Sequence, residues 1–246
     1  QYINLIKELK ETKTCEEALS VVSKINALDT EFSSYGTLAS IRNSIDTSNE
    51  KYEKAQEFFD EVSPQYQDLA TNYYRVLISL PFKDELKEKL GDLLFNQIDL
   101  SLKTFKPEII EDLIEENKLS TEYSKLIASA KIEFDGKVLN LSQMAPYGES
   151  LDRNVRREAN LARGKWFYDH MNEFDEIYDK MVKVRTRMAK KLGYENYVQL
   201  GFDKLGRTDY TPADVKNYRE QIKETLVPIA QELLAKQIKR IGVENP

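Results

Sequence analysis

The 246-residue chain carries 36 Lys plus Arg against 42 Asp plus Glu, which gives a formal net charge of -6. This balance argues against nucleic-acid binding, because phosphate recognition requires a basic face. The single cysteine, Cys15, excludes an intramolecular disulfide, and we therefore expect a cytoplasmic protein.

The composition also favours helices and argues against a membrane protein. Glycine and proline are scarce, with 9 and 7 residues, whereas turn-rich sheet proteins use many of both. The longest apolar stretch, residues 76–82, is interrupted by Ser79 and Pro81. It is far shorter than the roughly 20 residues that span a bilayer, so we expect no membrane partner.

The first half of the chain is predicted to be a succession of helices. Apolar spacing of three and four residues predicts two amphipathic helices within residues 1–45. Thr47 with Glu50 is typical of a capping box that starts a third helix, which we expect to end or bend at Pro64. Pro107 suits the first turn of a later helix, and Ser120 is placed to cap the next one.

One β-hairpin interrupts these helices. Polar and apolar residues alternate over residues 131–141 around Asp135 and Gly136, and Asp-Gly is a strong signal for a tight hairpin turn. Pro146 and Gly148 predict a loop after the hairpin. We therefore divide the chain into an N-terminal helical domain, residues 1–148, and the first helices of a second domain, residues 149–246.

Helices are again predicted after this loop. Ser150 can cap one helix, and residues 174–192 place apolar side chains along one face of another. Thr211 is predicted to cap a final helix that Pro228 bends and Gly242 ends. The fold class is therefore all-α with one β-hairpin.

A self-contained catalytic or metal site is not expected. A zinc site needs about four His, Cys or carboxylate ligands, and this chain has one His and one Cys. His170 is therefore interpreted as a helix residue, and Cys15 beside Glu16 and Glu17 as an unreactive thiol with a raised pKa. We assign no catalytic, cofactor-binding or metal-binding residue.

Two groups of charged residues are given structural interpretations. Adjacent carboxylates on one helix point in different directions and are interpreted as solvated faces. An arginine cluster with helical spacing could bind a carboxylate or a partner, but salt bridges to neighbouring helices are favoured in an acidic chain. The carboxylates are Asp60, Glu61, Glu111, Asp112, Glu115 and Glu116. The arginine cluster consists of Arg153, Arg156, Arg157 and Arg163.

Several strings of the sequence resemble the oligoendopeptidase F-type zinc metallopeptidases, of the thimet oligopeptidase-like superfamily. They follow one another in the family's order over most of the chain. The strings are SIDTSN (44–49), FKPEI (105–109), ASAKIEFDG (128–136), DRNVRREA (152–159), KLGYENY (191–197) and GRTDY (206–210).

The resemblance implies the N-terminal lobe of a two-lobed helical enzyme whose deep channel admits short peptides. In that family, a zinc ion held by H-E-x-x-H and a more distant Glu activates water. All these residues would lie outside this chain, so zinc is implied for the parent enzyme alone. The implied partners are short peptide substrates and the remainder of the same polypeptide.

Two hypotheses remain open. The chain is either a fragment of a peptidase or a stand-alone helical scaffold that binds peptides or proteins without catalysis. The absent N-terminal Met and the ending at Pro246 favour the fragment. In a fragment, we expect the last helix, residues 211–241, to present an uncovered apolar face.

Overall fold

The computed structural model describes residues 1–242. Pro246, the residue on which the fragment hypothesis drew, lies outside this range. Within this range the chain is helical with one antiparallel hairpin, so the predicted all-α fold with a single hairpin is confirmed. The helices are α1 (Tyr2–Glu11), α2 (Cys15–Ile45), α3 (Glu50–Ser79), α4 (Lys83–Leu90), α5 (Asp92–Thr104), a 3-10 turn (Pro107–Ile109), α6 (Ile110–Ala128), α7 (Leu141–Gly148), α8 (Arg153–Asp169), α9 (Met171–Lys191), α10 (Tyr197–Lys204), α11 (Pro212–Gln221), a π-turn (Ile222–Leu226) and α12 (Val227–Ile241).

The hairpin consists of β1 (Ile132–Phe134) and β2 (Lys137–Leu139). Asp135 and Gly136 have φ angles of 51° and 69°, the left-handed conformation that a two-residue hairpin turn requires. Ile132 pairs with Leu139, and both side chains are buried. The hairpin therefore contributes to a core as well as connecting two helices.

At two helix starts the capping residue differs from the predicted one. In both cases the cap is the residue directly before the first helical residue. Asn49, and not Thr47, accepts the N–H groups of Lys51 and Tyr52 at the start of α3. Asp152, and not Ser150, caps α8 by accepting the N–H of Asn154.

Ser120 lies inside α6 and does not begin a helix. Its hydroxyl donates to the carbonyl of Glu116 one turn earlier, an arrangement that a helix interior tolerates. Leu113 and Leu119, which precede it in the same helix, are buried, and that burial outweighs the capping preference of serine.

The long helix α3 continues through Pro64, although the sequence predicted an end or bend there. Proline has no N–H, so the carbonyl of Asp60, four residues earlier, loses its normal helical partner. The side-chain amide of Asn117 on α6 donates to that carbonyl at 3.0 Å. A partner from another helix thus satisfies the acceptor that the proline leaves open.

The stretch Pro146-Tyr147-Gly148 forms the end of α7 and is not a loop. Asn140 and Gln143 make a complete capping box at the start of this helix, with both hydrogen bonds at 2.9 Å. The cap fixes the first turn, and Met144 then buries its side chain against the third apolar cluster described below.

The last helices start and end largely as predicted. Thr211 caps α11 in a capping box with Asp214, and Gly242 ends α12 with a φ angle of 67°. The irregularity expected near Pro228 is the π-turn just before it. There, the N–H of Val227 donates to the carbonyl of Ile222, five residues earlier.

Three apolar clusters form the core of residues 1–200. The first joins α1 to α5, the second contains residues of α6, α9 and α10, and the third joins the hairpin to α7 and α8. By compactness the chain divides into Gln1–Leu200 and a second unit from Gly201 onward. The predicted domain boundary after residue 148 lies inside the first unit and stays a prediction.

None of the helices in residues 1–242 combines the length and apolarity needed to cross a bilayer.

Replacing Asn117 with Ala should destabilise the chain by about 1–2 kcal/mol, because it leaves the carbonyl of Asp60 without a partner. In a Pro64→Ala background the same replacement should cost less, since residue 64 then supplies its own N–H. Urea unfolding of the unchanged chain, the two single variants and the double variant measures this coupling. Asn26→Ala, at an exposed position of α2, is the control and should change stability by less than about 0.5 kcal/mol. Equal costs in both backgrounds would contradict the interpretation.

Candidate functional site

Two buried carboxylates on α6 bind a row of cations on α9. Asp112 accepts hydrogen bonds from Arg187 Nε at 2.5 Å and from Lys191 Nζ at 2.6 Å, and its side chain is only 3% exposed. One turn later, Glu116 accepts from Arg185 Nε at 2.7 Å. The hydrogen bond to Asp112 raises the pKa of Arg187 above its ordinary value. This network fixes α9 on α6.

The interpretation of the carboxylate pairs as solvated faces is wrong for one member of each pair. Asp60, Asp112 and Glu116 are buried, whereas Glu61, Glu111 and Glu115 are exposed. Neighbouring residues on a helix point about 100° apart, so one of them can face a packed helix while the other faces water. The buried member could not be identified from the sequence, because partners that bind it lie far away in the chain.

A groove of about 680 Å³ lies between α3 and α6, beside the buried Asp60. Its charged walls pair with each other across the groove. Lys118 binds Glu61 at 2.7 Å, and Lys125 binds Glu53 at 2.5 Å. Thr121 donates to Asp60 at 2.7 Å. Two ion pairs and a hydrogen bond therefore connect α3 and α6 at this groove, which makes it part of the α3–α6 interface.

His170 lies at the junction of α8 and α9. Its Nδ1 is 2.8 Å from the carbonyl of Trp166, and the imidazole stacks on the Trp166 ring at 4.4 Å. His170 is thus the turn residue between two helices and not the helix residue that was predicted, and its contacts occupy one ring nitrogen and one ring face.

Cys15 is the first residue of α2 and is buried. Burial, together with the nearby Glu85 carboxylate, raises the pKa of its thiol. A raised pKa favours the protonated, unreactive thiol, which agrees with the prediction. The main cause is burial and not the acidic neighbours in the sequence.

The arginine cluster of α8 does not form the salt bridges to neighbouring helices that were favoured for Arg156 and Arg157. Arg156 donates to the carbonyls of Ser150 and Leu151 in the segment before the helix. Arg157 is 3.4 Å from Glu158 on its own helix. Arg153 and Arg163 are exposed. Arg156 therefore closes the start of α8 locally.

In the part of the chain that the structure describes, no three His, Cys, Asp or Glu side chains lie close enough to hold a metal ion. The buried carboxylates of α6 are already paired with cations. These residues do not fit a zinc site, and we derive no reaction step through zinc here.

The last helices expose an apolar face. Leu226 and Ile229 are more than half exposed, and Leu233 and Leu234 are 61% and 52% exposed. In the described part of α11 and α12, no residue is buried. Ile229, Leu233 and Leu234 lie on one side of α12 at helical spacing, as expected of a helix that packs against another element.

Exposed apolar residues also occur on α8 and α9. Leu161 and Tyr168 are one heptad apart on α8, and Tyr178 and Val182 are one turn apart on α9. The residues after about 150 therefore expose apolar side chains on α8, on α9 and on α12. We call the last group the α12 face and define it by Ile229, Leu233 and Leu234 of α12 together with Leu226 at the end of the π-turn before it.

Comparison with known proteins identifies a matching family model and solved structures that resemble this chain. The family model of the Peptidase M3 N-terminal domain matches residues 1–105. Among solved structures, PZ peptidase A with an inhibitor is 45% identical, with a TM-score of 0.96 over 99% of this chain and 43% of its own. A protein assigned as oligoendopeptidase F is 43% identical with the same TM-score and coverage. Another, from Bacillus anthracis str. Ames, is 41% identical, with a TM-score of 0.96 over 100% of this chain and 45% of its own.

The chain thus spans less than half the length of the solved structures that it matches. Among curated proteins, no match reaches significance.

Replacing Asp112 with Asn should lower the free energy of unfolding by about 1–3 kcal/mol, because two cations lose their charged partner. This loss of unfolding free energy should be smaller than for a fully buried pair, because the Arg187 and Lys191 side chains are 43% and 36% exposed. Water can therefore replace part of the interaction. Urea unfolding followed by circular dichroism measures it. Glu111→Gln removes the exposed neighbouring charge as a control, and an equal effect of both changes would contradict this account.

Proposed function

We propose that this chain, a member of the oligoendopeptidase F-type peptidases that spans their N-terminal part, supplies one lobe of a zinc-dependent enzyme that hydrolyses short peptides. The observation that carries the proposal is the near-complete superposition on PZ peptidase A at 45% identity. The match extends over nearly the whole of this chain, which favours a peptidase part over a stand-alone helical scaffold that binds peptides or proteins without catalysis.

In this proposal, the reaction is carried out by residues outside the chain. The zinc ion, its His and Glu ligands and the general base would come from the remainder of the polypeptide, where the metal activates water for attack on the peptide carbonyl. The described residues contribute structure: three apolar clusters and the α6–α9 ionic network hold residues 1–200 as one compact body. A rigid body of this kind can form a channel wall that excludes folded proteins.

The α12 face is the surface that we assign to the remainder of the polypeptide. Its apolar side chains are exposed over residues 226–234, and a stripe of this kind is usually covered by a partner. Relatives more than twice as long as this chain contain additional residues that could cover it. Contacts with that remainder would complete the enzyme.

The isolated 246-residue chain should not hydrolyse a quenched fluorescent peptide, with or without added zinc, because one His and one Cys cannot build a catalytic zinc site. A chimera that carries this chain in place of the matching part of PZ peptidase A should fold and cleave the peptide in a chelator-sensitive manner. A folded but inactive chimera would argue for a non-catalytic scaffold. Chelator-sensitive cleavage by the pure chain would overturn the assignment of the chemistry to residues outside it.

Exposure of the α12 face should make the isolated chain bind a hydrophobic dye or self-associate. The double replacement Leu233→Gln and Leu234→Gln should reduce both properties, since it removes the centre of the apolar stripe. Glu232→Gln is the matched control, because it places the same residue type on the polar side of the same helix. Dye fluorescence and light scattering measure the effect. Equal behaviour of the control and the double variant would mean that the face is not the cause.

A further inference from the structure

We infer that Arg207, held against the rings of Phe202 and Tyr210, binds a carboxylate, either the C-terminus of a peptide or an acidic side chain. The Cζ atom of Arg207 lies 4.6 Å from the centroid of the Phe202 ring and 5.7 Å from that of the Tyr210 ring. All three residues belong to the unit from Gly201 onward. The proposed peptidase role uses none of them, and the inference does not rest on it.

The two rings and the turn after α10 fix the position of the arginine. Phe202 lies in α10, and the N–H of Gly206 donates to the carbonyl of Asp203 at 3.0 Å in the turn that follows. The rings of Phe202 and Tyr210 meet edge to face, with centroids 6.2 Å apart and an interplanar angle of 86°. Arg207 beside them is partly buried. A side chain that is already ordered loses less conformational freedom when a ligand binds, which favours binding.

The hydrogen-bond donors of Arg207 stay available in this arrangement. A guanidinium carries five N–H donors, and an aromatic face attracts its charge without accepting hydrogen bonds as a carboxylate does. Among residues 1–242, neither a hydrogen bond nor an ion pair engages the Arg207 side chain, and its nitrogens reach solvent. The groups that match such planar donors in geometry and charge are carboxylate and phosphate oxygens.

Arg185 shows the complete arrangement elsewhere in the same chain. Its Cζ lies 5.2 Å from the centroid of the Tyr197 ring, and its Nε donates to Glu116 at 2.7 Å. Ring support and a bound carboxylate thus occur together on one arginine. Arg207 has two supporting rings, and the described part of the chain supplies no carboxylate to it. We therefore expect the carboxylate to come from a ligand.

The charges around Arg207 favour a carboxylate over a phosphate. Residues 201–210 contain two acidic and two basic residues, Asp203, Lys204, Arg207 and Asp209, so this segment has no excess positive charge. A phosphate dianion is usually bound by a cluster of arginines, whereas one guanidinium can neutralise one carboxylate. The dianion would also be repelled more strongly by the two aspartates. A singly charged carboxylate is therefore the better match.

Acetate and the neutral acetamide, which has nearly the same shape, test the inference on the 246-residue chain. In nitrogen–proton correlation spectra of the arginine side chains, acetate should shift the Nε–Hε signal of Arg207 in a saturable manner, and acetamide should not. Arg163 on α8 is the internal control, because it is exposed and has no ring contact among the described residues. Acetate should bind at Arg207 at least about threefold more tightly than at Arg163. Methyl phosphate should bind at Arg207 no more tightly than acetate.

Two further ligands distinguish the sources of the carboxylate. N-acetylalanine presents it at a C-terminus, and the α-amide of N-acetylglutamate presents it on a side chain. Binding of either supports the inference, and the tighter of the two identifies the source.

Ring variants locate the binding. Phe202→Leu and Tyr210→Leu should each weaken acetate binding at Arg207 by about two- to fivefold, because each removes one supporting ring. Tyr218→Leu removes an exposed ring from α11 in the same unit and should leave binding unchanged. Circular dichroism confirms that each variant is folded. Equal affinities at Arg207 and Arg163, a saturable shift by acetamide, tighter binding of methyl phosphate, or an equal effect of Tyr218→Leu would each overturn the inference.

Discussion

The structure depends on the burial of two carboxylates on α6. A carboxylate removed from water loses several kcal/mol of hydration, on the order of the total stability of a small domain, unless charged or hydrogen-bonding partners replace the water. Asp112 and Glu116 find those partners on α9, more than 65 residues later in the chain. The pairing therefore specifies which helix packs on α6 and in which register, because a shifted α9 would leave a buried charge unpaired.

Helix α6 is also fixed from its other side. Asn117 satisfies the carbonyl that Pro64 leaves open on α3, and Thr121 reaches Asp60 one turn later. Polar contacts with α3 and with α9 thus lie within a few turns of one helix, next to the second apolar cluster. Polar groups that must be satisfied give specificity, while apolar burial supplies most of the stability. This arrangement explains how residues on both sides of the hairpin belong to one compact body.

The distribution of polar and apolar groups supports the proposal that this chain has a structural role and that the catalytic residues lie outside it. In the described chain Asp112 and Glu116 are engaged in holding helices together, while the α12 face and several side chains of α8 and α9 are exposed apolar groups. Such surfaces bind partners through burial and shape rather than through covalent chemistry. A lobe built in this way contributes by positioning other parts of an enzyme and its ligands.

The sequence by itself determined the features that arise within a few residues of one another. Helical periodicity, the Asp135-Gly136 turn and the Thr211 cap were predicted because each depends on local backbone conformation and neighbouring side chains. Only the tertiary structure decided that α3 continues through Pro64, because the donor to Asp60 lies 57 residues away in the chain. It also decided which carboxylate of each adjacent pair is buried, since that choice depends on a partner from a distant helix, a cation for Asp112 and Glu116 and the Thr121 hydroxyl for Asp60.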